Sequence, residues 1–213
     1  VSKLMCPIPL TEDFIPFGRK NRPALPLLAE FITVHDTANP AKGADAAAHA
    51  AYLKGDKAAS LPVSWHFTVD DQGAVQHLPL NEIGWHAGDG RGPGNMKSIG
   101  VEICENADGD RIKAEENAVL LVAWLLVTLN LPADRVVPHR RWTKTECPHI
   151  LWPKWGQFID RVKITKYQLR PEPWDPEMEI RILRKKGIIN SNHQPGDRVS
   201  WGELATIINR ITK

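Results

Sequence analysis

Phe31–Ala38 reads FITVHDTA, a β-branched and aromatic run that ends in polar residues. Such a run is expected to form a strand, with His35 at its end. The flanking segments decide what sheet it joins. Ala44–Ala59 is rich in alanine and has strong helix propensity despite Gly55. VSWHFTVDDQGAVQHLP, residues 63–79, alternates on either side of Asp71-Gln72-Gly73 and reads as a hairpin. SIGVEICEN, residues 98–106, is a strand with little polarity before Glu102. AVLLVAWLLVTLNL, residues 118–131, is a buried helix, and RVVPH is a short strand that delivers His139. The glycine-rich WHAGDGRGPGN, residues 85–95, is expected to lack regular structure. Strands alternate with helices throughout. This pattern predicts an α/β (α+β) fold, a mixed central β-sheet flanked by helices.

Bulk properties narrow the possibilities. With 213 residues, 42% apolar and 24% charged, the chain can bury one core and still carry a small appendage. The formal net charge of +2 makes no broad electrostatic case for a nucleic-acid partner. The longest apolar run is shorter than the ~20 residues a membrane span needs. The 3 cysteines, an odd and sparse number, argue against a disulfide framework and for synthesis in a reducing compartment. VSKLMCPIPLTEDF has no basic region followed by an apolar core and a small-residue cleavage site. The expectation is therefore synthesis in the cytoplasm without a signal peptide.

The character changes after Lys163. YQLRPEPWDP is proline-rich and is expected to break the preceding helix, giving a first domain over 1–165, a linker over 166–174 and a small helical module over 175–213. Within the module, Asp175 suits an N-cap, Pro176 the first helical position and Gly187 a left-handed C′ position. Ser200 and Glu203 form a capping box, and Leu204, Ile207, Ile208 and Ile211 make an apolar face. A helix pair of this size has a marginal core. It should dock on something or pair with a second copy, so a homodimer through these helices is one expectation.

VPHRRWTKTECPHI, residues 137–150, places a histidine and a cysteine on one short basic segment. Together with His35, His139 and Cys147 would give two imidazoles and a thiolate, which leave a fourth tetrahedral position open for water, as in a catalytic zinc site. Each residue also has an ordinary reading. His35 could be a strand-end histidine satisfied by backbone, Cys147 a small buried side chain and Glu102 a strand carboxylate paired with an arginine.

FITVHDTAN, SWHFTVDD, NEIGWHAGDG, SIGVEICEN and HRRWTKTECPHIL, in this order and at these separations, closely resemble the zinc-dependent N-acetylmuramoyl-L-alanine amidases of the phage-lysozyme and peptidoglycan-recognition-protein superfamily. The likeness covers roughly Phe14–Val162 and is nearest to endolysins of phages that infect Gram-positive bacteria. It implies one zinc ion per chain on His35, His139 and Cys147, and Glu102 as the catalytic carboxylate. It also implies an oxyanion donor at Thr145, with Lys144 the alternative. The implied substrate is peptidoglycan of the bacterial cell wall, with Trp65, His66, Trp85 and His86 as groove contacts. Trp65 stands where some relatives carry a tyrosine. An endolysin would reach the wall after release, through a holin. The C-terminal segment more weakly resembles helical modules appended to wall enzymes, so wall binding stands beside dimerisation as its expected role. A non-catalytic peptidoglycan-recognition module is the alternative for the whole chain, and retention of Cys147 with Glu102 argues for the enzyme.

Overall fold

The computed structural model describes residues 4–169, 180, 183–189 and 196–211. The chain divides into two compact units, Val1–Leu169 and Arg170–Lys213. The first unit is built on a six-stranded sheet. Its strands are β1 (Leu10–Glu12), β2 (Phe31–Asp36), β3 (Phe67–Val69), β4 (Ala74–Gln76), β5 (Ser98–Ile103) and β6 (Val136–Pro138), in the order β1-β4-β3-β5-β2-β6. The hairpin pair β3–β4 is antiparallel, and the other neighbours are parallel. This is the mixed sheet that the alternation of strands and helices predicts.

The period-2 pattern of the strands makes the two faces of the sheet different. One face carries Ile32, Val34, Phe67, Val69, Ile99, Val101 and Ile103, all in the main core. Against it packs α4 (Arg111–Thr128), which supplies Ala118, Leu121, Val122 and Leu125, with α5 (Trp155–Leu169) adding Phe158 and Val162. The helix begins where Asp110 accepts the amides of Ile112 and Lys113, and ends before Asn130, which takes a positive φ of 52°. The other face carries Thr33, His35, Gly100, Glu102 and Thr68. Above its β3–β4 half lies α1 (Ala46–Lys54), joined to α2 (Asp56–Ala59) through Gly55.

Three expectations about the elements need correction. The alanine-rich segment is two helices, because Gly55 adopts an extended conformation between them. The glycine-rich segment contains a short helix, α3 (Pro93–Met96), which starts on Pro93 and is capped by Asp89. The expected boundary after residue 165 falls inside α5, which continues through Lys166, Tyr167 and Gln168 to Leu169 because its first proline comes only at Pro171.

In the second unit, Gly187 takes a φ of 67° and its amide donates to the Arg184 carbonyl. The helix α6 (Trp201–Ile211) opens on a reciprocal capping box. The Ser200 amide donates to Glu203 at 2.8 Å, and the Glu203 amide donates back to the Ser200 hydroxyl at 3.3 Å. Leu204 and Ile208 are exposed and Ile207 is half-buried. Asp175, Pro176 and the side chain of Ile211 lie outside the described residues.

Candidate metal centre

The polar face of the sheet gathers the chemistry. Register pairs His35 with Glu102 across β2–β5, and Thr68 with Glu102 across β3–β5, so these three side chains stand in one row. Val34 pairs with Pro138, so the residue after Pro138 arrives beside His35. His139 sits there, in a 3₁₀ turn, its ring centroid 4.5 Å from that of His35. The loop that follows folds back because the Arg140 amide donates to the Cys147 carbonyl at 2.9 Å. Ligand-type atoms of His35, His139 and Cys147 thereby come within 4.8 Å of one another, and these residues could hold a metal ion. Cys147 Sγ lies 3.7 Å from His35 Nδ1. Glu102 Oε1 is also 3.7 Å from that nitrogen, while its Oε2 is buried without a hydrogen-bond partner among the described residues.

A buried carboxylate and a half-buried guanidinium brace this arrangement, and sequence reasoning missed both. Asp36 follows His35 but points to the helix side of the sheet. Its carboxylate accepts the Ile150 amide at 2.7 Å and the Leu151 amide at 3.2 Å, and it also binds the Arg111 guanidinium. Arg111 in turn reaches the carbonyls of Ile103 and Cys104 and the carboxylate of Glu115. The strand end that carries His35 thus holds the segment just beyond Cys147. No spacing in the sequence marks Arg111, and only adjacency to His35 hints at Asp36.

Burial dominates the electrostatics. His35 is held well below the ordinary histidine range by desolvation and then by His86 and His139. It is neutral near pH 7, so its contact with Glu102 is not an ion pair. Glu102 is raised well above the carboxylate range, first by burial and then by Asp36 and Glu105. Burial, followed by the charge of Glu102, pushes the Cys147 thiol up to about 12. Every shift resists charge. A cation among the ligands reverses this balance, since an opposite charge favours both thiolate and carboxylate.

The other expected site residues are placed less uniformly. Lys144 is exposed and Thr145 half-buried, both in the loop between His139 and Cys147. Trp65 is buried against Ile15, Leu53 and Leu78 and donates Nε1–H to Thr68 Oγ1 at 2.7 Å. It also lines a cavity of about 340 Å³ with Thr37, Asn39, His49 and Tyr52. Trp85 is half-buried and packs on the main core. His66 is corrected from its expected role as a groove contact. Its side chain is fully buried, its Nδ1 accepts the Gly100 amide and its Nε2–H donates to the Glu82 carbonyl, so no ring nitrogen is left for a substrate. His86 is corrected likewise, for its buried ring turns inward to His35 at 3.0 Å. It rests on the strand at Gly100, where a Cβ would lie 2.7 Å from the imidazole.

All the expected ligands and Glu102 fall within residues 25–150, the span matched by the profile of the N-acetylmuramoyl-L-alanine amidase family. The chain belongs to that family. Among its members, XlyA of Bacillus subtilis (strain 168) is 55% identical over 149 residues, which cover 70% of this chain and 49% of XlyA. CwlH of the same organism is 51% identical over 156 residues, 73% of this chain and 61% of CwlH. The chain therefore spans about half to three-fifths of the length of these two relatives. The solved catalytic domain of XlyA superposes with a TM-score of 0.70 at 53% identity, covering 73% of this chain and 99% of that domain. The family resemblance carried by the five sequence motifs and the mixed-sheet fold expected from the alternation of strands and helices both hold.

Proposed function

We propose that this amidase-family chain is a zinc hydrolase that cleaves the amide between N-acetylmuramic acid and the L-alanine of the peptidoglycan stem peptide. The observation that carries the reading is the convergence of His35, His139 and Cys147 beside a buried, unpartnered Glu102 oxygen. Two imidazoles and one thiolate are a zinc-type donor set. Their Sγ–Nδ1 separation of 3.7 Å suits the edge of a tetrahedron, roughly 3.5 Å for zinc–ligand bonds of about 2.0–2.3 Å.

Zinc bound there supplies Lewis acidity and lowers the pKa of water towards about 7. Glu102 accepts the proton of the attacking water and returns it to the leaving amine, a role for a carboxylate close to the ligands but not among them. Thr145, or Lys144 beside it, donates to the lactyl oxygen as negative charge develops. Trp85, and the edge of Trp65 that borders the cavity, contact the substrate; the inward-facing His66 and His86 do not.

The same reading makes the chain the lytic part of an endolysin that acts on the wall after release. Its C-terminal unit either tethers it to the wall or joins two copies, and tethering would raise the local concentration of substrate. The decisive experiment pairs metal analysis with mass spectrometry of muropeptide digests. New L-alanine amino termini with intact muramic acid are the expected products. Cleavage at a glycosidic bond or within the stem peptide would overturn the assignment.

A further inference from the structure

The loop read as a groove wall is turned towards the metal centre. His86 Nδ1 lies 3.0 Å from His35 Nε2, and the Ala87 carbonyl lies 3.0 Å from His139 Nε2. Two adjacent loop residues thus meet the outer nitrogen of both histidine ligands. Asn95 anchors them, its Oδ1 accepting the amides of His86 and Ala87 at 2.8 Å each while its Nδ2 donates to the Gly90 carbonyl at 2.9 Å.

The proton positions in this region follow from counting donors. Trp142 Nε1 can only donate, and it donates to Thr33 Oγ1 at 2.9 Å. Gly94 carries a carbonyl that can only accept, and the Ser98 hydroxyl donates to it at 2.5 Å. Thr33 and Ser98 share a hydrogen bond of 2.7 Å. The single Ser98 proton is already committed, so Thr33 must be the donor in that bond. Around His86 Nε2 lie the Ser98 carbonyl at 3.4 Å and the Ser98 Oγ at 3.5 Å. Both therefore face it as acceptors, and Nε2 must carry a hydrogen. The ring is buried against His35, His66 and the Gly100 backbone, and no carboxylate pairs with it among the described residues to balance a second ring proton, so Nδ1 is bare. It can only accept, and the proton between the two rings belongs to His35 Nε2. This leaves His35 Nδ1 bare, on the side of Cys147 and Glu102.

We propose that His86 is a positioning residue that fixes His35 as the Nε2–H tautomer and so presents its Nδ1 lone pair to the metal, while the Ala87 carbonyl does the same for His139. The role in metal binding rests on the zinc reading above; the tautomer does not. Outer partners of this kind set the ring orientation and basicity of ligating histidines, and losing one typically costs about 10–100-fold in metal affinity.

The test uses the full chain and two readouts. The first is a long-range ¹H–¹⁵N spectrum of the imidazoles in the chelator-treated protein, where His35 is expected as Nε2–H; Nδ1–H at His35 would overturn the proposal whether or not zinc binds. The second is zinc affinity by competition with a chromogenic chelator. His86→Leu should bind zinc about 10–100-fold more weakly. His86→Gln, whose amide can accept from His35 and donate to Ser98, should recover most of that loss. Unchanged affinity in a folded His86→Leu, or equal losses in both variants, would overturn the positioning role. If His86→Leu does not fold, the spectrum of the unsubstituted protein decides. Absence of zinc binding by the unsubstituted protein would instead sink the zinc reading and leave the tautomer result standing.

Discussion

His35 and Glu102 face each other across the parallel β2–β5 pair, with Nδ1 and Oε1 3.7 Å apart. One register therefore sets a ligand and the proposed proton acceptor side by side, and a one-residue slip would turn either to the opposite face of the sheet.

That proximity predicts separable losses. Cys147→Ala should abolish stoichiometric zinc binding along with activity. Glu102→Gln should keep zinc and the fold while losing about 10²-fold or more in turnover, within the range for a removed general base. Metal analysis and muropeptide turnover on both variants check this. Zinc near one per chain in Cys147→Ala would contradict the ligand assignment.

Asp36 should matter as much as a ligand without touching the metal. Asp36→Ala leaves Arg111 and the amides of Ile150 and Leu151 without their shared acceptor. Breaking a buried charge pair costs about 3–5 kcal/mol, so denaturant unfolding should show a loss of that order. Zinc affinity should fall with it, because the segment after Cys147 loses its hold on β2. A loss under about 1 kcal/mol would show that the Cys147 loop is held by other means.

The buried His66 makes stability depend on pH. Burial lowers its pKa from the ordinary 6.5 to about 4. The unfolded chain takes up this proton below pH 6.5 and the folded chain only below about pH 4, so the stabilisation is complete above 6.5 and is lost as pH falls through that window. Each pH unit within it costs about 1.4 kcal/mol for one such group. In chelator-treated protein, His66→Gln should lower the slope of unfolding free energy against pH by about one proton. An unchanged slope would show that His66 does not titrate on unfolding.

A chain ending at Leu169 should fold, bind zinc and cleave small soluble muropeptides at close to the full rate, because every proposed site residue lies before it. On intact walls it should act more slowly if the C-terminal unit is a tether. Light scattering separates the other role: a change from dimer to monomer on truncation, with unchanged rates on walls, would make α6 a subunit contact.

The sequence by itself determined strands β2 to β6, the long helix and the family, but not the edge strand β1. These follow from local information: the β-branched and aromatic run FITVHD, the weakly polar SIGVEI, the apolar run that fills the later turns of α4, and five motifs in a fixed order. It also offered His35, His139 and Cys147 as a candidate ligand set, since ligand chemistry restricts which residue types can serve, and the family resemblance added Glu102 as the candidate carboxylate. Only the tertiary structure decided which way the buried histidines point. His66 and His86 stand beside motif residues much as ligands do, yet both are turned inward, one to backbone and one to His35. Nor could spacing reveal Asp36 and Arg111, which are 75 residues apart in the chain and meet across the β2–α4 contact. Sheet register and helix packing bring such groups together, and a buried polar atom must find its partner wherever the fold delivers one. That partner is a property of the folded chain, and local sequence carries no record of it.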